Sequence, residues 1–97
     1  MQYMKAQLLA RTKEVRDDGS IVEVVIWNLP EPLPPSAHRF KYRLFYGSGG
    51  VDRVRYDNER GKGDHRHING HELTYVFESI DRLLDDFDQD VQNWSPE

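Results

Sequence analysis

Twelve consecutive residues, Tyr56-Asp57-Asn58-Glu59-Arg60-Gly61-Lys62-Gly63-Asp64-His65-Arg66-His67, gather most of the ionisable types that a reaction centre draws on. Three strong cations (Arg60, Lys62, Arg66), two histidines (His65, His67) and three carboxylates (Asp57, Glu59, Asp64) share the run with two glycines. Gly61-Lys62-Gly63 resembles the end of a phosphate loop. That motif, however, places Ser or Thr after the lysine and a glycine five residues upstream, whereas Gly63 follows here and Asn58, Glu59 and Arg60 precede. Nucleotide hydrolysis of that type is not expected. Phosphate contact through Arg60, Lys62 and exposed backbone amides is.

In an extended segment His65 and His67 project to one side, with His71 or Asp64 available to complete a metal site, and Asp57 and Glu59 with Lys62 invite a metal-dependent nuclease. A His-x-His pair is a weak signal, the spacing matches no strict signature, and the cations oppose binding a further one. No metal and no cofactor are therefore expected. Metal-free RNA cleavage suits the residue types better. Attack of a ribose 2′-hydroxyl on the adjacent phosphate needs a general base, a general acid and cations where charge accumulates. His65, His67 or Glu59 would transfer protons, Arg60 and Lys62 would stabilise the charge, and Tyr56 and Arg66 would hold the base and phosphate. The plain alternative is a scaffold, with Asp57 and Glu59 pairing with Arg60 and Arg66 to shape a long loop.

The elements that position this segment can be read from period and punctuation. Ser20-Ile21-Val22-Glu23-Val24-Val25-Ile26-Trp27 is a β-branched run with a single charge, so a covered strand, and the turn Asp17-Asp18-Gly19-Ser20 joins it to a first strand over Leu8 to Arg16. The prolines of Pro30-Glu31-Pro32-Leu33-Pro34-Pro35 make a stiff connection. Phe40 to Tyr46 and Val51 to Tyr56 form a hairpin. With Gly47-Ser48-Gly49 as its loop, Tyr42 faces Val54 and Phe40 faces Tyr56, while Lys41 opposes Arg55 and Arg43 opposes Arg53. Those like-charge pairs call for an anion, either a neighbouring Glu23 or Glu72 or a phosphate backbone lying across Lys41, Arg43, Arg53 and Arg55. His71 to Phe77 reads as a last strand after the Asn69-Gly70 turn. From Ser79, an N-cap, the period becomes helical, with Ile80, Leu83, Leu84, Phe87, Val91 and Trp94 on one stripe and aspartates mostly elsewhere. The expected fold is α+β: a mainly antiparallel sheet of about five strands with one C-terminal amphipathic helix packed on one face.

At 97 residues, with a hydrophobic fraction of 37% and eleven aromatics, one domain spanning residues 1–97 is expected. The absence of cysteine excludes disulfides, thiol catalysis and cysteine zinc sites, and fits a reducing, cytoplasmic setting. No stretch approaches the roughly 20 apolar residues of a membrane span, so no membrane is expected. The net charge of −4 is unevenly spread: residues 1–37 carry −1, residues 38–71 carry +4 and residues 72–97 carry −7. An anionic ligand at the centre and a different, basic partner at the acidic end would fit, as would neutralisation within the folded chain.

The twelve-residue run, preceded by Lys41-Tyr42-Arg43-Leu44 and by Trp27 before the proline cluster, resembles the TumE family of toxins over roughly residues 19–90. That resemblance implies a small protein of a bacterial toxin–antitoxin module, paired with a helix-turn-helix antitoxin. It implies no set of catalytic residues. Combined with the chemistry above, the expected function is a toxin acting on RNA as a metal-independent endoribonuclease. The alternative is a non-catalytic module that holds nucleic acid or another anionic target.

Overall fold

In the computed structural model, which describes residues 5–95, six antiparallel strands follow one another in chain order and a single helix closes the fold. The strands are β1 (Gln7–Val15), β2 (Ile21–Asn28), β3 (Phe40–Ser48), β4 (Val51–Glu59), β5 (Gly63–Ile68) and β6 (His71–Thr74), and α1 covers Ile80–Asn93. Tight turns explain the simple up-and-down order. Gly19 in the β1–β2 turn, Gly49 and Gly50 between β3 and β4, and Asn69 and Gly70 between β5 and β6 all adopt positive φ, the hand that two-residue hairpin turns require.

The α+β architecture is as expected, with one strand more. The additional strand comes from the twelve-residue segment, which is not a loop but a hairpin: β4 runs on to Glu59, Arg60-Gly61-Lys62 turns, and β5 begins at Gly63 opposite Glu59. Its polarity hid its extended backbone, because hydrophobic alternation is the main signal by which a strand is recognised. The last strand is correspondingly shorter than expected, ending at Thr74.

The β3–β4 register also differs from the sequence reading. Strand β3 continues through Ser48, the turn is Gly49-Gly50, and a bulge follows, so Leu44 faces Tyr56, Tyr46 faces Val54, Phe45 faces Arg55 and Arg43 faces Asp57. The slip is by an even number of residues, which preserves the faces of the paired residues and changes their partners, while Arg53, at the bulge, turns to Trp94 on the covered side. The expected Lys41–Arg55 and Arg43–Arg53 oppositions do not occur. Arg43 lies across from a carboxylate instead, which removes the repulsion that an external anion was expected to offset.

One face of the sheet carries the core. Ile26, Tyr42, Leu44, Tyr46, Val54 and Tyr56 are buried there beneath Leu83, Phe87 and Val91 of α1, with Tyr75 beside them. Ser79 caps the helix, its hydroxyl accepting from the Arg82 amide at 3.0 Å. Asp86 and Asp90 are not part of the solvated acidic surface: they turn to the sheet and accept from the hydroxyls of Tyr75 and Tyr56. Because α1 lies across β4, strand β1 is left almost wholly exposed and the opposite face of the sheet is uncovered.

Burial and a facing carboxylate push the phenols of Tyr42, Tyr56 and Tyr75 above their ordinary value of 10.0. The folded state then keeps protons that the unfolded chain releases above pH 10, so this stabilisation is intact below pH 10 and lost as pH rises beyond it. Urea titrations should show stability falling by about 1.4 kcal/mol per pH unit for each such tyrosine. Tyr75→Phe should flatten the dependence by one tyrosine's share, and an unchanged alkaline slope would refute the assignment.

Candidate active site on the open face of the sheet

Alternation along the β4–β5 hairpin divides the twelve-residue segment between two environments, since neighbours on a strand point to opposite faces. Tyr56, Asn58, Asp64 and Arg66 belong to the covered face. Tyr56 is fully buried, its ring packed edge-on against Tyr75 and Phe87, and its hydroxyl donates to Asp90 while accepting from Arg66 at 3.0 Å. Arg66 completes the set at 3.1 Å from Asp90. Tyr56 therefore has no ring face left on which a base can stack, and Arg66 is held on the wrong side of the sheet to join the histidines. Arg53, at the bulge, turns to Ser48 and to the ring of Trp94. These three expected substrate contacts are thus engaged within the fold, away from the histidines.

Asn58 and Asp64 fasten the hairpin to the proline connection. The Asn58 side chain takes over the β3–β4 ladder, accepting from the Tyr42 amide at 3.0 Å and donating to the Phe40 carbonyl at 2.7 Å. Asp64 accepts from the hydroxyls of Ser36 and, at 2.7 Å, Tyr42, and from His38 Nε2 at 2.6 Å. The His38 Nδ1 atom accepts from the Phe40 amide, so its proton sits on Nε2 and points at the carboxylate. The Gly61 amide donates to the Pro34 carbonyl, and Gly63, at φ 78°, leaves only 3.1 Å between a virtual Cβ and Pro35, so a side chain there would collide as well as strain the backbone.

The open face holds the remaining residues in two rows that run straight across the ladder. One is Arg11, Val25, Arg43, Asp57, His65 and Thr74; the next is Lys13, Glu23, Phe45, Arg55, His67 and Glu72. At the β4–β5 end, His65 Nε2 lies 2.5 Å from Asp57 Oδ1, Arg55 Nε lies 3.1 Å from Asp57 Oδ2, and the two imidazole rings meet edge to face at 5.0 Å. His65 Nδ1 donates to the Gly63 carbonyl at 3.0 Å. Asp57 and His65 are buried, at 5% and 4% exposure. Lys62 reaches this end through Glu72, which lies 3.3 Å from both Lys62 Nζ and His67 Nε2.

The electrostatics follow from the neighbours. Burial, Arg55 and His65 together push the His67 imidazole below its ordinary range, which favours the neutral ring. The Lys62 ammonium holds the Glu72 carboxyl below its usual range. Arg43 is exposed beside Asp57, with its guanidinium over the Phe45 ring at 5.1 Å, and Lys41 Nζ donates to the Asn58 carbonyl at 2.8 Å beside a shallow groove formed with Val25, Trp27 and Arg43.

Of the expected residues, the fold thus brings together His65, His67, Arg55, Arg43, Lys41 and, through Glu72, Lys62. Glu59 and Arg60 stay exposed at the hairpin tip. Asp57 and Glu72 enter the cluster, although the sequence suggests Asp57 only for a metal-dependent nuclease or a scaffold pairing and Glu72 only as an anion facing the strand cations. The signal for Asp57 was present: a turn centred on Gly61 brings Asp57 opposite His65, once the polar run is read as a hairpin.

The covered-face network gives a separate prediction. Asp64→Asn presents an amide NH2 to donors and leaves part of the Ser36, His38 and Tyr42 set unsatisfied, so urea denaturation should show a loss of about 1–3 kcal/mol. Wild-type stability in that variant would mean that the carboxylate does not hold the connection.

Among known protein families, a family model described as Toxin TumE fits residues 5–95. No curated protein and no solved structure matches the chain.

Proposed function

The chain belongs to the TumE family, which makes it a toxin component with an antitoxin as its general partner, and we propose that it acts by cleaving RNA on the open face of its sheet. The observation that carries this reading is the buried Asp57–His65 pair, flanked by His67 and Arg55, at the end of a row in which exposed Arg43 stands next to Asp57. Groups able to move protons or bind a reacting oxygen adjoin cations able to take a phosphate, and the sheet beyond continues with Lys41, Lys13 and Arg11 along a path for a polyanion. No helix among the described residues is long and apolar enough to cross a membrane. A cytoplasmic site of action, where RNA is met, is part of the proposal.

The residues have distinct tasks in this reading. Arg43, Lys41 and Lys62 bind the phosphate backbone. Arg55, already shared between Asp52 at 2.8 Å and Asp57, positions the Asp57 carboxylate. Asp57, His65 and His67 face the reacting atoms. The imidazole-only route expected from the sequence asks both histidines for proton transfer, yet His65 has one ring nitrogen on the Gly63 carbonyl and the other against Asp57. That geometry favours a centre in which the three side chains work as a unit over one in which two independent imidazoles act as acid and base.

Induced expression of the wild-type chain should arrest growth with fragmentation of cellular RNA. The His65→Asn/His67→Asn double variant should do neither while remaining folded by circular dichroism. Full growth arrest by the folded double variant would overturn the assignment. Arg43→Ala should weaken RNA binding alike for all sequences and reduce the salt slope of binding by about one. Salt-sensitive binding without any product would instead select the non-catalytic module, a reading favoured by the way the cations continue to Arg11 and Lys13, well away from the histidines.

The partner in this proposal is a helix-turn-helix antitoxin, whose basic surface would meet the exposed Asp81, Asp85 and Asp88 on the outer side of α1. Replacing these three with Asn should leave toxicity intact and reduce protection by the co-expressed antitoxin. Undiminished protection would place the contact elsewhere.

A further inference from the structure

Three atoms at the β4–β5 end of the open face converge without the partners that burial demands. Asp57, His65 and His67 each offer a ligand atom within 4.8 Å of the others, and Asp57 Oδ1, His65 Nε2 and His67 Nε2 are buried with no aligned hydrogen bond. The 2.5 Å approach of His65 to Asp57 and the 3.3 Å approach of His67 to Glu72 are contacts of charge type that do not satisfy these atoms as hydrogen bonds. Buried polar atoms are ordinarily satisfied, and leaving one bare costs on the order of 1–3 kcal/mol. Three bare atoms aimed at one point indicate a shared ligand. The surroundings make that ligand a cation. His65 Nδ1 donates to the Gly63 carbonyl, so in the neutral ring the lone pair is on Nε2, the arrangement by which metal-bound histidines are oriented. Arg55 Nε, itself without an aligned hydrogen bond, forms an ion pair with Asp57 Oδ2 at 3.1 Å, leaving Oδ1 for the same point.

We propose that Asp57, His65 and His67 form a binding site for one divalent first-row transition-metal ion through an N2O donor set. Two imidazoles and one carboxylate on a single face leave further coordination positions for water or a phosphate oxygen. Glu72, beside His67, is placed to supply a fourth ligand or to hold a bound water. Bonds of about 2.0–2.2 Å would set the ligand atoms about 3 Å apart, so Asp57 and His65 part slightly and His67 closes in. The residues first considered as third ligand do not take part: Asp64 is engaged with Ser36, His38 and Tyr42, and His71 pairs with Ile68, whose side chain is on the covered side. The fold supplies the ligands in a rigid form. Asp57 and His65 are cross-strand neighbours, and His67 follows His65 at the two-residue period, so all three are carried by paired backbone.

The site does not depend on RNA being the target, although it occupies the centre of that reading and would make the cleavage metal-dependent. The test uses the full-length purified chain, stripped with EDTA and dialysed, and titrated with Co2+ and separately with Zn2+. The expected result is uptake of one ion per chain, with visible d–d absorption for Co2+. His67→Asn, at a partly exposed position, should weaken binding by at least about tenfold with the fold retained by circular dichroism, and Asp57→Asn should do the same. His71→Asn should bind as wild type. Absence of saturable Co2+ and Zn2+ uptake, or uptake that survives His67→Asn and Asp57→Asn unchanged, would overturn the site. Metal binding without RNA cleavage would count against the RNA reading alone, and cleavage by a chain that takes up neither ion would count against the metal site alone.

Discussion

The Asp64 carboxylate is the contact on which the arrangement of this protein turns. Its two oxygens collect donors from Ser36, His38 and Tyr42, so a single charged group joins the proline connection, the start of β3 and the start of β5. The start of β5, Gly63-Asp64-His65, has little apolar surface of its own with which to find the other two. A largely buried carboxylate tolerates its desolvation only when several donors surround it, which ties the start of β5 to these partners. Once Asp64 points into this clamp, the next residue must point out of it. His65 then stands opposite Asp57 on the other face of the sheet.

Seen this way, the covered face and the open face are two products of one hairpin. Tyr56, Asn58, Asp64 and Arg66 hold the hairpin against α1 and the proline connection, while the residues between them, Asp57, His65 and His67, are displayed with their backbone already fixed. The two-residue period costs nothing extra to separate support from display, and the supporting residues can be as polar as the displayed ones. Gly61 and Gly63 belong to the support as well, one closing the turn and the other allowing Pro35 to approach.

The open face stays open because α1 is short and lies across β4 on the other side. A helix with its apolar residues on one stripe covers only part of a six-stranded sheet, so β1 and β2 rely on their ladder and on β3. What results is an extended molecule, 47 Å along its longest axis, with cations distributed over the uncovered surface and the Asp57–His65–His67 cluster toward one end. That length and charge are what the proposed RNA target would be laid across.

Local chemistry let the sequence determine a good deal. Asp18-Gly19 and Asn69-Gly70 set two turns, the glycines around Ser48 announced a third but not its place, the β-branched run set β2, Ser79 and the apolar period set α1, and, Arg53 at the bulge apart, the choice of face in β3 and β4 survived a wrong register because the error was even. The concentration of ionisable groups between Tyr56 and His67 was equally plain, as was the likeness to a toxin family. Tertiary structure alone decided what those groups do, because polarity says nothing about which way a side chain points. Tyr56 and Arg66 have the types of a binding residue and are committed to Asp90, while Asp57, one carboxylate among three in the segment, becomes the central one by lying opposite His65. A polar hairpin has no hydrophobic alternation to announce it, so its period, and with it the site, appears only when Asp64 has been given its partners.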